Sequence, residues 1–319
     1  MNKNQKEDLL QFPAIINVNV FRGACICNCI HCPVGITPVE SRKEKFHYSH
    51  MNLQFFQKIV DEVSIENKNT VLRIHSVGEP ILWNYLAPGI EYAKSKSIHT
   101  WLFTSCVTNN YSLLETICDN LSIIEVSINS TDSEEYRKTK GVDKFQEVKR
   151  NIEYMNSYIK NKMFSTRLIV SRVQSIDRNK DEEFIKYWKH SGLVSDAFVR
   201  SYHTYNGVLE SEESESKKIH NSCLVHWARF NIDVNGEVAV CFNEFFKDNK
   251  HPDSLLGNLN STSIKEIWQS QKMNLIREAS EKNDYSLFQN LPCKNCNSCQ
   301  PLNSSRDTSE KQIHNLIRR

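Results

Sequence analysis

The chain has 319 residues, enough for about two average domains or one barrel with an appendage. Its 40 Lys and Arg against 38 Asp and Glu leave a formal charge of +2, which argues against a nucleic-acid binder held by bulk positive charge. No apolar run approaches the roughly 18 residues of a membrane span. The opening MNKNQKEDLLQF is too polar for a signal peptide, so a cytoplasmic protein with no membrane or nucleic-acid partner is expected.

From residue 14 to about 203, strand-like and helix-like segments alternate. Strands are predicted at AIINVNVF (14–21), TVLRIHS (70–76), HTWLFTS (99–105), IIEVSIN (123–129), STRLIVSRVQ (165–174) and DAFVRSY (196–202). Helices are predicted at 52–65, 85–97, 111–121, 133–161 and 181–191. Near-continuous apolar strands in six β-α steps predict an α/β fold, a parallel sheet with helices outside it, open or curled into a partial barrel. In such folds ligands collect at the carboxyl ends of the strands. Residues 204–222 are polar and carry four glutamates, the composition of a linker. Beyond them ARFNIDV and EVAVCF flank Asn235-Gly236, a two-residue hairpin signal. Residues 263–280 read as one helix whose Ser263 and Glu266 form a capping box.

Eleven cysteines sharpen the reading. Without an export signal, dense cysteine points to metal or redox chemistry more than to disulfides. Cys25, Cys29 and Cys32 read C-x3-C-x2-C in GACICNCIHC. Three thiolates on one loop hold three irons of a [4Fe–4S] cubane and leave the fourth iron open to a substrate or cofactor. A zinc site completed by Cys27 or His31 is the alternative. Cys223, Cys241, Cys293, Cys296 and Cys299 form a second group, in which a hairpin joins the first pair and the C-x2-C-x2-C run folds back. Four of these thiolates suit a fully ligated [4Fe–4S] cluster, with a zinc knuckle as the alternative. Cys106 and Cys118 stand apart and read as buried thiols. After the second strand comes SVGEP, whose Glu79 places a carboxylate where it can take a charge-assisted hydrogen bond from an ammonium. The plain alternative is a turn with an exposed Glu.

Over residues 14–299 the sequence resembles the radical S-adenosylmethionine (SAM) superfamily. The resemblance rests on the C-x3-C-x2-C after the first strand, Gly78-Glu79-Pro80 after the second, and the six β-α steps. It implies a partial (β/α)6 TIM-like barrel with a small C-terminal hairpin-plus-helix iron–sulfur domain. It also implies that Cys25, Cys29 and Cys32 bind a cluster whose open iron chelates SAM, and that reductive cleavage yields a 5′-deoxyadenosyl radical. Cys27 has no counterpart in the motif. His31 stands where a side chain packs by the adenine. Gly78 and Glu79 match the segment that receives the methionyl ammonium, with Val77 in place of a glycine. Ser127 and Asn129 match the ribose position, Arg137 or Lys138 the cation for the SAM carboxylate, and Ser171 lies near the ligand end of its strand. Cys223, Cys241, Cys293 and Cys296, with Cys299 as a spare, resemble the SPASM/twitch extension that holds an auxiliary [4Fe–4S] cluster.

On this resemblance the chain divides into an extension (1–13), a radical SAM core (14–203), a linker (204–222), an auxiliary-cluster domain (223–299) and a polar tail (300–319). The implied partners are a small-molecule substrate and an external electron donor such as flavodoxin or ferredoxin. The expected activity is an oxidoreductase-type enzyme abstracting hydrogen from a small polyhydroxylated substrate, a sugar or aminocyclitol, with dehydrogenation, epimerisation or dehydration as outcomes. A peptide-modifying SPASM maturase and a non-enzymatic zinc or iron–sulfur protein are the competing readings. His75, Arg200, Tyr202 and His203 are further strand-end candidates for the pocket.

Overall fold

The computed structural model describes residues 9–205, 207–210 and 223–296. The first stretch runs β1 (Ile15–Arg22), β2 (Ser49–His50), α1 (Leu53–Glu66), β3 (Val71–Val77), α2 (Leu86–Ser95), β4 (His99–Thr104), α3 (Tyr111–Asn120), β5 (Ile123–Ser127), α4 (Ser133–Lys140), α5 (Phe145–Lys162), β6 (Arg167–Val173), α6 (Arg178–His190) and β7 (Asp196–Arg200). The last stretch adds α7 (Val225–Ala228), β8 (Arg229–Ile232), β9 (Glu237–Ala239), β10 (Leu255–Asn258), α8 (Ile264–Trp268) and α9 (Gln271–Lys282). Strands β1, β3, β4, β5, β6 and β7 pair in parallel in that order, the partial (β/α)6 barrel.

Two predicted helices are each two. The 133–161 stretch breaks at Gly141, whose left-handed φ of 65° ends α4 before α5 begins. The 263–280 stretch breaks at Gln269, because the Ser270 side chain starts a fresh N-cap on Met273 N. The Ser263–Glu266 capping box is present as read.

The C-terminal hairpin is not a separate sheet. β8 pairs in parallel with β1, Ile15 opposite Arg229 through Val18 opposite Ile232, so β8, β9 and β10 extend the barrel sheet. Buried polar pairs lock this seam. Asn17 donates to Asn231 (2.8 Å), Asn19 to Asp233 (2.6 Å), and Arg22 pairs with Asp233 (2.7 Å).

Side-chain alternation then builds the barrel interior in layers. Ile15, Val71, Trp101, Ile123, Ile169 and Phe198 form an apolar plug at the strand starts. Two residues on, the same inward face reads Asn17, Arg73, Phe103, Glu125, Ser171 and Arg200. The outward face (Ile16, Val18, Leu72, Ile74, Leu102, Ile124, Val126) buries against the helices, including Phe56, Ile59, Val60 and Val63 of α1. The interior therefore changes from apolar to polar on the way to the carboxyl ends. Among the described residues no helix is long and apolar enough to cross a membrane.

Candidate active site

A cavity of about 240 Å³ opens above this polar layer, and both cysteine groups line it. On one wall stand Cys25, Cys29 and Cys32, on the loop that follows β1. The loop is held from three sides. Asn28 N donates to Lys140 O (2.7 Å) and Ile30 N to Thr139 O (3.2 Å), docking it on the end of α4. Glu79 N donates to Ala24 O (2.9 Å), tying it to the end of β3. Gly35 sits so close that a Cβ there would lie 2.2 Å from Cys29 O. Cys27 is only 1% exposed and belongs to the main apolar core, though it is also among the residues lining the cavity. Cys106 and Cys118 are buried in that core, and burial pushes the Cys118 thiol up to about 12.

Gly78 has a φ of +153°, and a Cβ there would lie 2.3 Å from Ala24 O, so only glycine lets β3 end against the cysteine loop. Glu79 is buried, not exposed in a turn. Its carboxylate accepts from Thr104 Oγ1 (2.5 Å), Ser105 Oγ (2.5 Å), Ser105 N (2.8 Å) and Ile81 N (3.2 Å). Burial still raises its pKa above the ordinary value.

His31 and Ser127 line the cavity. Asn129 stands behind His31: its amide donates to His31 Nε2 (2.7 Å) while its Oδ1 accepts from Val173 N (3.0 Å). This contact requires the other ring nitrogen to carry the proton. Burial, then Lys140 and Arg172, lowers the His31 pKa to about 3 and keeps the ring neutral. Arg137 and Lys138 do not reach the site. They lie on the exposed face of α4, where Lys138 pairs with Glu134. The cation that α4 brings to the cavity is Lys140, one turn from buried Tyr136 on the inner face, with Nζ donating to Ser127 Oγ (3.0 Å). Burial disfavours its charge, but the sulfurs of Cys29, Cys27 and Cys25 and the Glu79 carboxylate outweigh that and raise its pKa.

Ser171 lies beneath the cavity and not on its wall, where its Oγ donates to Glu125 Oε1 (2.6 Å). Glu125 also takes a two-pronged contact from Arg200 (2.8 and 2.6 Å), and Trp101 Nε1 donates to it (3.1 Å). Burial opposes its charge, yet Arg200 and Arg73 hold the carboxyl below its usual range. His75 stacks on Phe103 (5.0 Å, 12°) and meets Phe242 at 4.4 Å, so a ring from the C-terminal region closes over a barrel residue. Burial first, then Arg73 and Arg200, puts its pKa well below 6.5. His75, Arg200 and His203 line the cavity, whereas Tyr202 donates to Glu210 O (3.0 Å) away from it.

The same cavity is also lined by Cys223, Cys241, Cys293 and Cys296. Burial, then the neighbouring sulfurs of Cys296 and Cys223, pushes the Cys241 thiol up to about 12. Cys293 Sγ contacts buried His226 Nε2 (3.3 Å). Cys299, the 1–8 part of the extension, most of the 204–222 linker and the 300–319 tail lie outside the described residues.

Residues 19–185 match the family model of the radical SAM superfamily. The chain belongs to that superfamily. Residues 223–300 match the SPASM iron–sulfur cluster-binding domain. This radical SAM enzyme therefore uses SAM and a [4Fe–4S] cluster, with auxiliary cluster binding in its SPASM domain, and a non-enzymatic metal protein is set aside. No curated protein sequence matches the chain. Its fold is similar to BtrN in complex with AdoMet and 2-DOIA (TM-score 0.59, 16% identity, covering 93% of this chain and 97% of that one). It is similar to Streptococcus suis SuiB bound to precursor peptide SuiA (0.65, 14%, 86% and 69%). It is also similar to anSMEcpe with bound AdoMet and Cp18Cys peptide (0.61, 14%, 95% and 98%). The donor sets fit the two groups: three thiols on one loop at the cavity, and four thiols from the C-terminal region gathered on the same lining.

The sequence reading missed Lys140, the Thr104–Ser105 clamp on Glu79, the Glu125 network and Phe242. One signal was available for Lys140: it falls four residues after an aromatic on a helix, whereas its place beside the cysteine loop exists only in space.

Proposed function

We propose that this radical SAM enzyme acts on a small polyhydroxylated molecule, a sugar or aminocyclitol, abstracting hydrogen from a hydroxyl-bearing carbon. The observation that carries the reading is the single cavity shared by both cysteine groups, floored by side chains that exchange hydrogen bonds with hydroxyls: Asn17, Arg73, His75, Arg200 and Asn231. In this assignment residues 14–203 form the radical-generating core and 223–299 the auxiliary-cluster region. Cys25, Cys29 and Cys32 hold the SAM-site cluster, and Cys223, Cys241, Cys293 and Cys296 hold an auxiliary one, with Cys299 as a spare. Loaded, the site supplies reductive cleavage of SAM to a hydrogen-abstracting radical, with electrons from an external flavodoxin- or ferredoxin-type donor. Gly78 and Glu79 receive the SAM ammonium, Lys140 the carboxylate, and Ser127 the ribose. His31, oriented by Asn129, packs by the adenine. Glu125, with Ser171 behind it, orients Arg200 toward the substrate.

A similar fold was solved with 2-DOIA, and two others were solved with peptides. The test therefore offers both classes. Reduced, reconstituted enzyme is incubated with SAM and either a panel of sugars and aminocyclitols or short peptides, and 5′-deoxyadenosine is measured. The expected result is stimulation by a polyol, with a product lacking two hydrogens, lacking water, or epimerised at one carbon. Stimulation by peptides alone overturns the proposal in favour of the maturase reading.

A further inference from the structure

Arg42 is among the largest fully buried side chains, 2% exposed, and it sits outside every motif of the site. All five of its N–H donors are used, and all within residues 25–37, the cysteine loop and the short helix Pro33–Ile36 that follows it. Nε donates to Thr37 O (2.9 Å), and Nη1 to Cys25 O (3.0 Å) and Cys27 O (3.2 Å). Nη2 donates to Asn28 Oδ1 (2.6 Å) and Gly35 O (3.0 Å). The guanidinium thus ties carbonyls inside the three-thiol stretch, those of Cys25 and Cys27, to carbonyls just after it, those of Gly35 and Thr37, and Asn28 passes the restraint on to Lys140 O. Turning carbonyls inward onto a planar cation leaves the loop's other face, with its thiols, to the cavity.

None of the five acceptors is a carboxylate. A buried cation whose partners are neutral dipoles carries a desolvation cost that an anion nearby would relieve. Three thiolates around a cubane make the loaded loop net negative, and the charge and hydrogen bonding around a cluster set its reduction potential. From this geometry we infer that Arg42 is a positioning residue with two effects: it preshapes the three-thiol loop for cluster uptake, and its charge raises the reduction potential of the cluster held there. The inference rests on Cys25, Cys29 and Cys32 being the ligands.

Three variants of the full chain, reconstituted anaerobically, test it: Arg42→Lys, Arg42→Gln and Cys29→Ala. Each is measured for iron content, for melting temperature, and for the potential of the SAM-site cluster by redox titration followed by EPR. Lys keeps the charge with fewer donors; Gln keeps some donors without the charge. The expected result is reduced cluster loading in both Arg42 variants. The potential of the loaded fraction should shift negative in Arg42→Gln and stay near wild type in Arg42→Lys. Equal potentials in all loaded fractions overturn the electrostatic role and leave a structural clamp. Wild-type loading in Arg42→Gln overturns the preshaping role. Retention of the SAM-site signal in Cys29→Ala is a separate result that overturns the ligand assignment itself.

Discussion

The two cysteine-bearing regions reach the same cavity by opposite routes. The first places Cys25, Cys29 and Cys32 on one short loop, bound by backbone hydrogen bonds to α4 and β3 and by the Arg42 guanidinium. The second draws Cys223, Cys241, Cys293 and Cys296 from positions scattered over more than seventy residues, brought together only because β8 docks on β1 and the chain later returns. Local restraint makes the first site's shape a property of its own segment. The second site's shape depends on tertiary closure, since loop-closure entropy must be overcome before its thiols meet.

The largest expected effect separates the two regions by function. Cys29→Ala and Cys241→Ala should each lose about four of about eight irons per chain. Cys29→Ala should abolish 5′-deoxyadenosine formation outright. Cys241→Ala should still cleave SAM but fail to turn over substrate. Iron analysis beside 5′-deoxyadenosine and product assays checks this. If Cys241→Ala also lost all SAM cleavage, the division of labour between the two cysteine groups would be wrong.

The seam between the regions offers the next effect. Asp233, 2% exposed, joins Arg22, Asn19 and Lys250 across the β1–β8 junction. Burial would raise its pKa, but Arg22 and Lys250 outweigh it and hold the carboxyl below its ordinary value. Asp233→Asn leaves Arg22 buried beside a neutral group, a change that costs about 3–5 kcal/mol at neutral pH. Because the folded carboxyl is the more acidic, its contribution is complete above about pH 4 and is lost as the pH falls through the folded value. The stability gap between wild type and variant should therefore narrow only in strong acid, as urea unfolding at neutral pH and near about pH 2 will show. Auxiliary-cluster loading should fall further than SAM-site loading, since β8 is placed by this seam and the first loop is not. An equal fall at both sites would mean that the first loop also depends on long-range closure.

Local signals were read well from the sequence, and tertiary ones were not. The six strands, the Asn235-Gly236 hairpin and the Ser263–Glu266 capping box each depend on a few adjacent residues whose chemistry dictates the conformation. The helix breaks at Gly141 and Ser270 were missed because apolar periodicity runs through both, while a left-handed glycine and a new N-cap override it. The parallel pairing of β8 with β1 leaves no local mark, since neither strand differs in composition from one that ends a sheet. Arg42 was invisible for a related reason: buried arginines are rare, and within RKEK it reads as one more solvated charge. Only the convergence of Cys25, Cys27, Asn28, Gly35 and Thr37 on it shows otherwise.

The smallest effects concern the helix that joins the sequence reading to the first site. Sequence position pointed to Arg137 or Lys138, but a helix turns 100° per residue, and two residues decide which cation faces inward. Lys138 is exposed and its ammonium lies against Glu134, also exposed, where solvent screens the pair. Lys140 is buried against Ser127, and burial makes a charge-assisted contact worth about 1.5–3 kcal/mol. Lys140→Met should thus weaken SAM binding by about ten- to a hundredfold, read by isothermal titration on reconstituted enzyme, while iron content holds. Lys138→Ala should leave both SAM affinity and iron content at the wild-type level. The same weakening in both variants would mean that SAM feels the general positive field of α4, not one buried ammonium, and the inward-facing assignment of Lys140 would fail.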